Sequence, residues 1–291
     1  MRRLLIIMSL LMVVTEVAGQ EKFSDMIRLD YNINKSDDGV NIYETRIGGS
    51  KVFNLGRFRI GAAADLHKFD LDYTYTSQPA TDMHFTGTYT LGTEFFVSYA
   101  IRDDWFFTAF VQPEIASDFR GDWTAEGFNF GYGGYFTRTW LHTGGATSSL
   151  TMGGEYTTAF GKLRFVPIVN YLRKINARWA YAIGYPYTYV SWKAGSNHTL
   201  KPILGLNAFY AGVQGWNGYF DDKEAVRYKL SYMSLSGRLN YEYDFNRGWQ
   251  LTVGVGYTLY NTLDLYRDDT KDYTYDMASS PYISLGVNYK F

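Results

Sequence analysis

A nucleophile carried on a β-strand needs its base on the same face, and a spacing of two residues supplies that. The four histidines of this 291-residue chain do not meet the requirement: His67 precedes Lys68-Phe69, His84 precedes Phe85-Thr86, His142 precedes Thr143-Gly144 and His198 precedes Thr199-Leu200, so no His-x-Ser occurs. Paired carboxylates are the other route to hydrolysis. Asp70-Leu71-Asp72 is one such pair, but no Asp-x-His is read as its counterpart, and Asp70 and Asp72 are expected as solvated charges at a rim. Asp221-Asp222 and Asp268-Asp269 are hard oxygen donors without the ligand spacing of a calcium loop, and are expected as solvated loops. With no Cys, thiolate metal sites and disulfides are excluded, and a formal charge of -1 gives no basic footprint for nucleic acid. No catalytic residue, cofactor or metal ligand is assigned.

The other charged candidates lie inside alternating segments, and those segments decide their meaning. From Met26 to Ile33, Ile27, Leu29, Tyr31 and Ile33 share one face, and Arg28, Asp30 and Asn32 share the other. Similar two-sided strands are expected over residues 40–55, 58–72, 83–100, 105–115, 130–142, 150–160, 164–174, 200–211, 227–243 and 249–259. If the apolar faces meet lipid, a charge among them costs about 2–4 kcal/mol near the bilayer midplane. Arg28, His84, Glu94, Glu114, Arg138, Glu155 and Arg238 are therefore expected to face the lumen of a closed wall. Their mixed signs serve a salt-bridged plug as well as a conduit lining.

Composition agrees with such a wall. Tyr, Phe and Trp number 27, 20 and 7, yet the mean hydropathy is only -0.24, as when lipid-facing and water-facing residues alternate. No stretch after residue 19 approaches the ~20 apolar residues of a membrane helix. Residues 1–19 read as a secretory signal, with Arg2-Arg3, an apolar run from Leu4 to Val14 and Val17-Ala18-Gly19 at the cut, which leaves 20–291 as one barrel. Connections near residues 75, 120, 220 and 270 are long and acidic, while those near 57, 103, 145 and 246 are short. Trp105, Trp179 and Trp249, near strand ends, are expected in interfacial girdles. Between 179 and 193 Pro186 interrupts the alternation, because proline donates no ladder bond. If this segment makes two wall strands the count is fourteen, and if it leaves the wall the count is twelve, the number favoured here.

The last strand runs Pro281-Tyr-Ile-Ser-Leu-Gly-Val-Asn-Tyr-Lys-Phe291, with Ile283, Leu285, Val287, Tyr289 and Phe291 on one face. With the signal segment, the two-sided strands and the loop asymmetry, it resembles the small outer-membrane β-barrel proteins of Gram-negative bacteria, in which Leu285, Val287, Tyr289 and Phe291 stand where the assembly signal lies. Pro167, Tyr171, Ile175-Asn176-Ala177-Arg178-Trp179, Gly184-Tyr185-Pro186 and Leu200 are similar to the mid-chain signature of an uncharacterised group of such barrels, known as a domain of unknown function. The resemblance implies an all-β, antiparallel, up-and-down transmembrane barrel of about twelve strands (fourteen on the other count), with short periplasmic turns and longer outer loops. Membrane lipid, lipopolysaccharide and the barrel assembly machinery are its implied partners. The expected function is non-enzymatic: a narrow channel or a transporter of small or lipophilic solutes, or a structural wall protein. A barrel-embedded lipid or peptide hydrolase and an adhesin using the acidic loops are the alternatives.

Overall fold

The computed structural model describes residues 25–35, 40–73, 87–119, 127–213, 228–245, 248–267 and 269–291; the expected signal segment and His84 lie outside them. The described chain is strands joined by turns: β1 Met26–Lys35, β2 Val40–Leu55, β3 Phe58–Tyr73, β4 Gly87–Arg102, β5 Trp105–Ser117, β6 Phe128–Leu141, β7 Thr147–Thr157, β8 Arg164–Lys174, β9 Trp179–Tyr185, β10 Thr188–Lys193, β11 His198–Val213, β12 Tyr228–Asp244, β13 Trp249–Arg267, β14 Thr270–Asp276 and β15 Pro281–Lys290. Each pairs antiparallel with its sequence neighbour through β13, β15 pairs with β13, and the wall closes where β1 meets β15 from Met26↔Lys290 to Asn34↔Tyr282. β14 pairs only with the upper part of β13, from Thr262 to Arg267, as an outward extension of the wall.

Fourteen strands thus form the barrel, and the favoured count of twelve is corrected. Pro186 sits at the tip between β9 and β10, where no ladder N–H is required. The two short strands flank it and pair from Ala182↔Tyr189 to Trp179↔Trp192 inside the wall.

The alternation sets the two faces. Ile27 and Leu29 of β1, Leu91 and Phe95 of β4, Val253 and Val255 of β13 and Ile283 and Leu285 of β15 are all exposed on the outside, the apolar band of a membrane-spanning barrel. At the short-turn end Trp179 stacks on Trp192, with ring centroids 5.8 Å apart, and Trp249 packs on Tyr289 at 4.9 Å. Phe291 is 58% exposed there, its N–H donating to the Asp25 carbonyl and its ring under the Lys51 ammonium.

The long-loop end is different. β2, β3, β4 and β11 have 16 residues, β12 has 17 and β13 has 19, against roughly 9–11 needed to cross a bilayer. The surplus folds over the mouth. Val40 and Ile42 of β2, Phe69 and Leu71 of β3, Phe209 and Ala211 of β11, Leu230 and Tyr232 of β12 and Leu263 and Leu265 of β13 form one buried apolar core. The Phe69 ring lies 4.4 Å from that of Phe209 and 5.7 Å from that of Tyr232. A one-residue bulge makes this geometry: Ser236 faces Thr258 but Leu235 faces Tyr260, so Leu259 has no partner in the ladder. Below it the even residues of β13 face inward, and above it Leu263 and Leu265 do.

The wall is incomplete at one place on the same end. β9 and β10 are short, so β8 pairs with β9 only from Val169 to Lys174, and β11 pairs with β10 only from Thr199 to Leu204. Above that level β11 leans across the mouth, with Gly212 opposite Ser117 of β5, the Asp118 N–H on the Gly212 carbonyl and Asn129 Nδ2 2.8 Å from the Tyr210 carbonyl.

Candidate functional site

Beneath the apolar core the inward residues are polar because the alternation that puts Ile27, Leu91 and Val111 outside turns Arg28, Glu94 and Gln112 inside. They surround a partly open chamber of about 230 Å³. That is below the roughly 300–1,000 Å³ of drug-sized ligand pockets, so it suits a small solute or a headgroup rather than an oligomer.

Its charged groups are held by ion pairs and by amide hydrogen bonds. Arg46 of β2 meets Asp65 of β3, with Nη2 3.1 Å from Oδ1 and Nε 3.2 Å from Oδ2. Glu44 accepts from Asn32 and from Asn207 across the lumen, and lies 3.7 Å from His67 Nε2. Gln112 Nε2 donates to Glu94 at 2.7 Å, and Asn129 Nδ2 to Glu114 at 3.0 Å. Fixed amides and guanidinium groups thus replace the water these carboxylates would otherwise hold. Thr90 is buried on the lining, and its hydroxyl has no hydrogen-bond partner among the described residues.

Of the residues expected in the lumen, Arg28, Glu94 and Glu114 line this chamber. Glu155 of β7 points inward and accepts from the Tyr185 hydroxyl. Arg238 of β12 points inward beside the chamber, with Nη1 3.1 Å from the Tyr282 hydroxyl. Arg138 corrects the expectation: it shares its face of β6 with the exposed Phe128, Phe130, Tyr132 and Phe136. It sits at the short-turn end against Asp104 and over the rings of Trp105 and Trp140. An outward charge is inexpensive there, because its cost falls toward zero at the interface.

The carboxylate reading also needs correction. Asp65-Leu66-His67 is an Asp-x-His that the motif reading passed over, and Asp82-Met83-His84, outside the described residues, is a second. On β3 the first is separated from Asp70 and Asp72 by parity. Asp65 and His67 face the lumen, whereas Asp70 faces outward, paired with Lys68 at 2.7 Å. The two motifs therefore lie on opposite faces of one strand and assemble no hydrolytic set. Sequence reasoning also missed the apolar core, although strands of 16–19 residues, apolar on both faces from Ala208 to Val213, carried the signal.

At the two rims the ion pairs are local. Burial opposes ionisation of Asp25, but the Lys51 ammonium at 2.6 Å and the Val52 N–H outweigh it and hold its carboxyl below the ordinary carboxylate range. On the outer extension the hydrogen bond to Asp264, at 2.6 Å, raises the pKa of Lys271. Asp269 lies 3.5 Å from Lys229, and Asp272 is 3.5 Å from Arg267; Asp221, Asp222 and Asp268 lie outside the described residues. Among the described residues no three His, Asp or Glu side chains converge as a metal site would require.

No family model and no curated protein matches the chain. Solved structures do. The NanC porin is 10% identical with a TM-score of 0.41, the match covering 91% of this chain and 100% of the porin. A TodX monoaromatic hydrocarbon channel mutant is 10% identical with a TM-score of 0.42, covering 92% of this chain and 91% of the channel. LpxR from Salmonella typhimurium is 7% identical with a TM-score of 0.37, covering 91% of this chain and 100% of that protein. None of these likenesses bears on what the chamber holds.

Proposed function

We propose that this chain is a non-enzymatic, integral outer-membrane barrel that transports small solutes by way of its polar chamber. The observation that carries the reading is the chamber itself, a polar compartment of mixed charge inside a lipid-facing wall. The short-turn end, with both termini, is the periplasmic side, and the long-loop end faces outward, where lipopolysaccharide meets the rim. The signal segment, cut after Gly19, directs export, and the barrel assembly machinery reads Leu285, Val287, Tyr289 and Phe291. Parity argues against hydrolysis, since Asp70 is held on the opposite face from Asp65 and His67.

The test is uptake by proteoliposomes of the refolded full chain, offered radiolabelled zwitterions, sugars and lysophospholipids. Uptake several-fold above protein-free liposomes is the expected result; a variant with His67, His84, His142 and His198 all replaced by Ala tests hydrolysis alone, because His67 lines the chamber. A folded barrel that takes up none of them overturns transport. Hydrolysis of any lipid or peptide, abolished in the quadruple variant, installs the hydrolase instead.

A further inference from the structure

We propose that the chamber is reached from the lipid, through a side portal between β8 and β11, and that its occupant is a single-chain amphiphile with a zwitterionic head. The inference deepens the transport reading and rests on it for the chamber's role. The axial route is obstructed at the long-loop end, where the described residues around Ile42, Phe69, Phe209 and Tyr232 pack into one apolar core. The lateral one is not built the same way. From Arg164 to Ile168 no strand is laddered to the β9 side of β8, among the described residues. This edge stands in the apolar band, since the outward face of β8 reads Phe165, Pro167, Val169 and Tyr171, with Phe165 67% exposed. Backbone groups in lipid normally find partners in a closed wall, so a gap at this depth needs a covering.

The covering is the loop between β7 and β8. Gly161 takes the left-handed region (φ 74°) and brings the loop against the outward side of β12, where a Cβ at this position would stand 2.5 Å from Ser231 Oγ, 3.2 Å from the Tyr232 carbonyl oxygen and 3.5 Å from Met233 Cβ. Lys162 donates to the Asp269 carbonyl and sits over the Tyr266 ring, and Arg164 donates back to the Phe160 carbonyl. The same loop lines the chamber through Thr158, Ala159 and Leu163, opposite Ala208 of β11. One continuous space therefore runs from the gap to the charges, apolar at the wall and polar within.

That gradient selects the ligand. An alkyl chain matches Ala159, Leu163 and Ala208, and a head must match both signs of charge. Arg28 and Arg46 lie on the β1–β2 side, Arg46 bound to Asp65 and Arg28 3.9 Å from Asp30; Glu94 and Glu114 lie on the β4–β5 side, where the unpartnered Thr90 hydroxyl of β4 offers a hydrogen bond. An ammonium toward Glu94 and Glu114 and a phosphate toward Arg28, the guanidinium less tightly held of the two, satisfies this arrangement, whereas a purely anionic head faces Glu94 and Glu114 without compensation.

The experiment is photolabelling of the refolded full chain in liposomes with lysophosphatidylcholine carrying a diazirine beside its headgroup, and mapping of the adducts. Adducts on Glu94, Glu114 and neighbouring inward residues are expected, beside the annular adducts on outward residues; outward adducts alone overturn the portal. The chain has no Cys, so Gly161→Cys with Met233→Cys, in a Ser231→Ala background that removes the hydroxyl 2.5 Å from the new Cβ, places one disulfide, at a Cβ separation within the usual 3.5–4.5 Å, that fastens the loop shut. Oxidation should lower inward labelling at least about fivefold, leave outward labelling unchanged and be reversed by reductant; inward labelling indifferent to the bond overturns the lateral route. If the disulfide variant fails to fold, the wild-type adduct map still decides. Equal inward labelling by lysophosphatidylglycerol overturns the zwitterionic head. Inward labelling without uptake removes transport and leaves the portal, and uptake without inward labelling does the reverse.

Discussion

Phe69 shows what a single side chain contributes to the closed mouth. It is wholly buried between Phe209 and Tyr232, and truncating such a residue costs about 3–5 kcal/mol. Phe69→Ala should lower the thermal unfolding midpoint of the refolded barrel by several degrees, read by circular dichroism. Asp25 carries a pH signature instead. Its carboxyl is held below the ordinary range by Lys51, and a depressed carboxylate gives stability that is present at neutral pH and lost as pH falls through the lowered value. An exposed pair of this kind is worth about 0.2–1 kcal/mol. Asp25→Asn should therefore unfold slightly earlier than wild type at pH 7 and no earlier below about pH 3, as paired melts would show. At this scale Arg28, Glu94 and Glu114, placed by parity, line the chamber. Arg138 was misplaced because its charge was weighed above its parity with Phe128, Phe130, Tyr132 and Phe136, and a charge at the interface is cheap. Asp65-Leu66-His67 was missed in plain view, and only its register against Asp70 disarms it.

Strands were more legible than side chains, because period-two alternation marks a wall strand directly. The unread elements are those that depart from it. Leu259 shifts the phase of β13 in mid-strand, and no residue type announces a bulge of that kind. Deleting Leu259 alone keeps every ladder partner, because Tyr260 then follows Thr258 directly and still faces Leu235; deleting Leu259 together with Tyr260 should turn Leu263 and Leu265 away from the apolar core, since a one-residue slip exchanges the faces, at about 2–5 kcal/mol for each buried Leu lost. The double deletion should migrate as unfolded in a heat-modifiability gel at temperatures where wild type and the Leu259 deletion stay folded; wild-type migration of the double deletion would show that the register adapts. The β9–β10 hairpin was half legible. Pro186 announced an interruption, but whether two short strands stay in a wall depends on their neighbours, and Trp179 against Trp192 is a cross-strand contact visible only once the register is known.

The whole molecule is a barrel with a compartment rather than an axial pore. Wild type should show no steady conductance in a planar bilayer, because an apolar core stands across the long-loop half, and Phe69→Ala with Phe209→Ala should produce openings in a barrel that still shifts on heating. Steady wild-type conductance would mean the core parts spontaneously. The seam that closes the barrel joins Met26–Asn34 to Tyr282–Lys290, nearly the two extremes of the chain. Loop-closure entropy is owed in full before such a contact is rewarded, which makes it the slowest to form. Until it forms, β1 and β15 are two open hydrogen-bonding edges, each a template for another chain. A chain cut short before β15 thus loses more than one strand of fourteen: it keeps two sticky edges, and its fate is aggregation, not a smaller barrel.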